Sequence, residues 1–261
     1  MIDPDRELKN TVSEFLRSNQ LRVAEIPRSA SKTPDLIIEE GAPDSTLLEL
    51  KQKTHDEEEL SAYLKQMDDV GFAQRSRPTG HRNRLDGIIR FGVQQLVAKD
   101  PQRVHLRVLW IHCEGHDSHL HDMQLRATIY GTQKLFSNEH RNIITCFYFC
   151  DSSFYRYRQE LDAVVISRGD GAQLALNDHS PRFSAIKSSK FASVFGAGVY
   201  FPQQYQITDD TMFCDYAGPR TSERTIIEYL MSKYGFTHLQ IINMGMHEAT
   251  ASVEPPPDEK L

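Results

Sequence analysis

Asp35, Glu49 and Lys51 are the residues whose types and spacing best suit chemistry. Side chains alternate along a strand, so a strand over Thr46–Lys53 puts Leu47, Glu49, Lys51 and Lys53 on one face and Leu48 and Leu50 on the other. Glu49 and Lys51 then project together, with α-carbons about 7 Å apart. The turn signal Gly41-Ala42-Pro43-Asp44 lets the short strand Pro34–Ile38 fold back and bring Asp35 beside them. Two carboxylates and an ammonium on adjoining strands suit metal-assisted hydrolysis of a phosphodiester. Asp35 and Glu49 offer hard oxygen ligands for Mg²⁺, and Mn²⁺ accepts the same set. Lys51 would orient or deprotonate the attacking water, or stabilise charge in the transition state. The competing account is a solvated strand face, on which Glu and Lys are common.

These positions depend on the elements around them. Asp3 as N-cap and Pro4 as first helical residue open an amphipathic helix over residues 4–19, with Leu8, Val12, Phe15 and Leu16 at helical spacing. Leu21–Ile26 reads as a strand, and Pro27–Thr33 as a polar loop. Beyond the Glu-x-Lys strand the pattern predicts a helix over Glu57–Val70 and a basic loop over Gln74–Arg84. A second amphipathic helix, Arg84–Lys99, and a strand, Val104–His112, follow. Asp122–Phe136 fits a helix or a strand. Ile143–Cys150, Asp162–Ser167 and Ala172–Leu176 read as strands, Thr221–Tyr234 as a helix and Thr237–Asn243 as a last strand.

Pro34-Asp35, then thirteen residues, then Glu49-Leu50-Lys51 resembles the signature of the PD-(D/E)XK nuclease superfamily. The order helix, strand, Asp strand, Glu-x-Lys strand, helix, strand is similar to its core. Within that superfamily the archaeal Holliday-junction resolvases look nearest, over roughly residues 4–113. Val23–Pro27, Arg28–Thr33 and Pro34–Ile38 echo their strand, Ser-rich basic loop and Pro-Asp strand. The resemblance implies a restriction-endonuclease-like α/β fold, a mixed central sheet flanked by helices. The division is a core over 1–150, an α+β extension over 151–250 and a disordered tail over 251–261. It also implies Mg²⁺-dependent endonuclease activity on DNA, with Asp35 and Glu49 on the metal and Lys51 positioning the water, in a homodimer. Many members carry a further acidic ligand on the first helix. Here Lys9 falls at that place, with Asp5 and Glu7 as the nearby acids. Gln94 and Gln95 lie where members often place a polar residue near the metal, and a surface role is the competing account. The rival functions are a non-catalytic nucleic-acid-binding or protein-interaction module on the same fold, and an RNA nuclease.

Composition sets the outer bounds. The 261 residues are 39% hydrophobic and 25% charged, which supports a sizeable core and excludes a disordered or collagen-like chain. No apolar run approaches the roughly 20 residues needed to cross a bilayer. With no signal-peptide pattern at the start, the expectation is a cytoplasmic protein. Four cysteines are too few for a disulfide scaffold; Cys146 and Cys150, if on one strand, sit too far apart to bridge. The net charge is −6, yet Arg75–Arg107 carries eight cations against Asp86 and Asp100. Arg75, Arg77, Arg82, Arg84 and Arg90 are therefore the candidate nucleic-acid contacts, as phosphate neutralisers. Phe154–Arg158 interleaves aromatics with arginines, a pattern suited to stacking on bases, although a core helix start explains it as well. Arg182, Lys187 and Lys190 are further candidate phosphate contacts. The run His112–His121 lacks the spacing of a zinc ribbon or metalloprotease and reads as an exposed histidine-rich loop.

Overall fold

The computed structural model describes residues 4–27, 33–40, 45–139, 141–169, 171–204 and 210–251. In chain order, α1 (Pro4–Ser18) leads into β1 (Val23–Glu25), β2 (Leu36–Ile38) and β3 (Thr46–Lys53). Next comes α2 (Glu57–Val70), capped by the Asp56 carboxylate, which accepts from the Glu59 N–H, and stopped by Gly71 at φ 66°. β4 (Phe72–Pro78), α3 (Asn83–Lys99), β5 (Leu106–Cys113) and α4 (Ser118–Tyr130) follow. β6 (Gln133–Ser137), β7 (Asn142–Phe147), α5 (Ser153–Arg156), β8 (Ala163–Arg168) and β9 (Gly171–Leu176) continue the chain. The remainder comprises α6 (Phe183–Ser188), α7 (Lys190–Ser193), β10 (Val199–Tyr200), β11 (Thr211–Phe213), α8 (Glu223–Tyr234), β12 (Leu239–Ile242) and β13 (Gly245–Ala251).

The result is α/β: a mixed central sheet flanked by helices. Its strand order is β1-β2-β3-β5-β8-β9-β10. β3, β5 and β8 run parallel at its centre, while β1, β2 and β9 are antiparallel to their inner neighbours. Strand alternation divides β3 as its sequence requires. Leu47 packs with Leu85, Ile89, Val93 and Leu96 of α3, and with Leu125 and Ile129 of α4. Leu48 and Leu50 pack on the other side with Val12 and Leu16 of α1, Trp110 of β5 and Phe191 of α7. Full burial of each such aliphatic side chain contributes about 1.5–3 kcal/mol. Among the described residues no helix is long and apolar enough to cross a membrane.

Several expectations need correction. Sheet membership does not divide at residue 150: β8, β9 and β10 complete the central sheet, whereas β6 and β7 join β11 and β12 in a second sheet covered by α8. The apolar faces of β6 and β7 meet Ile226 and Leu230 of α8, so their partners lie far along the chain. The expected basic loop over Gln74–Arg84 is strand up to Pro78, loop over residues 79–82, and the start of α3 at Asn83. β4 pairs antiparallel with β13, residue by residue from Phe72↔Ala251 to Pro78↔Gly245, and β13 was not foreseen. Asp122–Phe136 resolves into the end of α4 and most of β6. β7 ends at Phe147, and Tyr148 turns the chain with φ 60°, so Cys146 and Cys150 do not share a strand. All four cysteines are free thiols. The Gly41–Asp44 turn, residues 28–32 of the polar loop and residues 252–261 of the tail lie outside the described residues.

Candidate active site

The β2–β3 register brings the acids together. Leu36 pairs with Leu48, and one step further along the same register Asp35 stands opposite Glu49. The Asp35 backbone N–H donates to the Leu48 carbonyl at 3.1 Å. Its carboxylate Oδ2 accepts the Leu50 N–H at 3.0 Å, so the side chain is fixed by the neighbouring strand. Glu49, on the Leu47 face of β3, is covered by α3 and is only 1% exposed. Gly92 lets α3 lie close: a Cβ there would meet Leu109 Cδ1 at 2.5 Å. That approach sets Gln95 over the site, where its Oε1 accepts from Lys51 Nζ at 2.7 Å. Lys51 Nζ also donates to Glu49 Oε1.

This leaves Glu49 Oε2 buried with no hydrogen-bond partner. Burial pushes the Glu49 carboxyl up to about 7; Lys51 opposes the shift and the Asp35 carboxylate reinforces it. A carboxylate pair held in this way gains from a cation placed between its members. Lys9 of α1 lies with Nζ 3.4 Å from Glu25 and 3.8 Å from Asp35. With all three carboxyls ionised, Glu25, Asp35 and Glu49 against Lys9 and Lys51 leave one net negative charge. Asp5 and Glu7, the nearby acids of α1, are exposed. Asp5 lines the same surface cleft as Lys9 and Glu25, whereas Glu7 lines a different one, with Trp110 and His112.

Sequence reasoning undervalued Gln95 and missed Glu25. The signal for Gln95 was its place one residue before buried Leu96, on the flank of the apolar stripe of α3; its neighbour Gln94 is exposed. Glu25 carried no signal, because only the β1–β2 pairing, Glu25↔Leu36, brings it to Asp35.

The five arginines proposed as nucleic-acid contacts separate into two groups. Arg75 and Arg77 are held in an ion-pair cluster, their side chains 8% and 11% exposed. Arg75 contacts Asp117 at 3.0 Å and Glu248 at 2.7 Å, and Arg77 contacts Asp117 at 2.6 Å and Glu248 at 3.2 Å. The physical reason is the β4–β13 pairing, which sets Glu248 opposite Arg75. Burial works against the Asp117 carboxylate, but Arg77 and Arg75 outweigh it and hold its pKa below the ordinary value. Arg82, Arg84 and Arg90 are exposed; Arg84 pairs with Asp56 at 2.9 Å and Arg90 lies over the Phe91 ring at 5.1 Å.

The histidine-rich run is the end of β5 and the start of α4 rather than a wholly exposed loop, with His121 only 6% exposed. His116, Asp117 and Glu248 bring one ligand atom each within 4.8 Å of one another. Both carboxylates are already engaged by Arg75 and Arg77, so the group is an ion-pair cluster. The Phe154–Arg158 aromatics are used internally. Phe154 is fully buried, and Tyr155 carries Arg220 at 3.6 Å and Arg158 at 4.6 Å from its ring centre. Arg182 donates to the carbonyls of Arg103 and Val104, and Lys187 lies over the Phe201 ring at 4.6 Å.

Comparison with protein-family models, with curated proteins and with solved structures finds no match.

Proposed function

We propose that the chain is a metal-dependent nuclease of the PD-(D/E)XK type, on a restriction-endonuclease-like core, cutting phosphodiester bonds in DNA. The observation that carries this reading is the buried, unpartnered Glu49 Oε2 beside the Asp35 carboxylate, with Lys51 two residues along the same strand face. The donor set fits a hard divalent cation: Asp35 and Glu49 would hold Mg²⁺ or Mn²⁺. When bound, the ion supplies charge for the phosphoryl oxygens and acidifies water. Asp35 keeps its orientation through the Leu50 N–H. Lys51, which donates to Gln95 and Glu49, would position the attacking water or stabilise charge on the phosphate oxygen. The core order α1-β1-β2-β3, then α3 and β5, supports the fold assignment, with α2 and β4 inserted between β3 and α3.

One observation favours a second reading. Lys9 stands beside Asp35 where related nucleases often carry another acid, as expected of a non-catalytic nucleic-acid-binding module. The deciding experiment incubates the purified protein with Mg²⁺, Mn²⁺ or EDTA and plasmid, linear duplex, single strand, four-way junction or structured RNA. Metal-dependent cutting lost in Glu49→Gln and Lys51→Met supports the nuclease and names its substrate. Cutting of RNA only moves the activity to that polymer. Tight binding with no cutting of any substrate overturns the nuclease in favour of the binding module.

A further inference from the structure

Past Lys51, the same face of β3 carries Lys53 into a cleft of about 300 Å³ between β4 and the starts of α3 and α4. Its charges do not cancel locally. Its lining sets Lys53, Arg77, Arg82 and Arg84 against Asp56, Glu59 and Asp117, an excess of one cation; Arg77 is held by Asp117 and Glu59, and Arg84 by Asp56. Lys53 and Arg82 remain, and neither side chain makes an ion pair among the described residues. Lys53 is only 9% exposed, and its ammonium donates to the Thr54 carbonyl oxygen. Burial, and then Arg84, lower its pKa. An ammonium this deep is normally matched by a carboxylate, since burying it without one is costly. His121, only 6% exposed, lines the same cleft, and its buried Nδ1 has no hydrogen-bond partner. Lys53 thus feels Asp56 and Asp117 across the cleft but pairs with neither, and a buried imidazole nitrogen without a partner lies in the same cleft; acceptor oxygens placed there would meet both.

We propose that the cleft formed by Lys53, Arg82 and His121 binds a phosphate group of the nucleic-acid strand, next to the phosphate that meets Glu49 and Lys51. The identity of the anion rests on the nuclease reading; the need for one does not. Lys53 lies two residues beyond Lys51 on the same strand face, about 7 Å at the α-carbons, so an extended phosphodiester chain seated at Lys51 carries its neighbouring phosphate here. Exposed Arg82 closes the phosphate from the solvent side, Lys53 meets it from the floor, and His121 Nδ1 gains a partner.

The test measures binding of a short labelled DNA duplex in EDTA, where no cutting occurs, across a range of salt concentrations. Wild type is compared with Lys53→Gln, Arg82→Gln and Glu49→Gln. Each of the first two is expected to weaken binding about three- to tenfold, and to reduce the magnitude of the log–log salt slope by about 0.9. Inorganic phosphate should compete with the duplex on wild type and fail to do so on Lys53→Gln. Arg82 is exposed, so Arg82→Gln keeps the test valid if the buried Lys53→Gln does not fold. Wild-type affinity and slope in the folded variants overturn the proposal. Stronger binding of a 5′-phosphorylated duplex than of its 5′-hydroxyl counterpart supports a terminal phosphate in the cleft, and equal binding supports an internal one. Glu49→Gln separates the two readings. If wild type does not cut while Lys53→Gln still loses duplex binding, the nuclease reading fails and the cleft stands. If wild type cuts, Glu49→Gln does not, and Lys53→Gln and Arg82→Gln bind normally, the cleft fails and the nuclease stands.

Discussion

The Asp35–Glu49 end of β3 and the Arg75–Asp117–Glu248 cluster on β4 and β13 are both groups of charged side chains built around one buried carboxylate, and they differ in how their carboxylates are met. In the second, both carboxylate oxygens of Asp117 meet an arginine, and those of Glu248 meet His116 and the two arginines. In the first, Glu49 Oε2 has no partner, and burial raises the Glu49 pKa to about 7. A set whose carboxylates are all paired, with only Arg75 Nη1 left over, fastens elements together, here α4 to the β4–β13 ribbon. A buried set left open points to a ligand. Charge density in the sequence does not separate the two; the state of each oxygen does.

The sharpest way to break this comparison is Glu49→Gln. It keeps the shape and removes the charge, so metal-dependent cleavage should fall by at least about 10³-fold while the protein stays folded; a cleavage assay beside circular dichroism reads both. Retained cleavage would mean that the open oxygen is incidental.

Asp117→Ala should do the opposite. It takes one carboxylate partner from each of two guanidiniums, leaving both on Glu248, and should cost about 3 kcal/mol of unfolding free energy, measured by urea titration. A loss below about 1 kcal/mol would show that the closed cluster is no fastening.

The acidic end also predicts a pH dependence. The folded pKa of Glu49, about 7, lies above its ordinary value of 4.5, so the folded state holds the proton across that window. Stability is therefore fully present below about 4.5 and declines as pH rises through 7, by about 3 kcal/mol for this group. Thermal melts should show this decline in wild type without metal, and a shallower one in Glu49→Gln. Mg²⁺ should flatten it in wild type by binding the folded state.

The smallest effect belongs to Lys9→Glu, which converts the lysine beside Asp35 and Glu25 into a further carboxylate. The Mn²⁺ concentration for half-maximal cleavage should drop roughly tenfold, since site charge tunes metal affinity. An unchanged metal requirement would place Lys9 outside the metal's reach.

Much of the candidate site was legible in the chain because strand alternation is local. Glu49 and Lys51 share a face by spacing, and the Pro-Asp pair before an apolar run marked the neighbouring strand. Lys9 could be placed because helical period and the Leu16 position fix it on α1. Gln95 was half legible, since a residue beside a buried stripe faces inward only if its helix packs at one particular angle. The fates of Arg75 and Arg77 were illegible. Their partner Glu248 lies 173 and 171 residues away, and no local pattern announces β13.

The sequence by itself determined the alternating faces of β3, the amphipathic stripes of α1 and α3 and the grouping of Glu49 with Lys51, because each follows from periods of two or 3.6 residues over short stretches. Tertiary structure decided which charges are closed and which stay open. It also decided that β8 to β10 complete the central sheet while β6 and β7 leave it. Both outcomes depend on pairings between distant segments, and whether a buried charge has a partner is settled only when those segments meet.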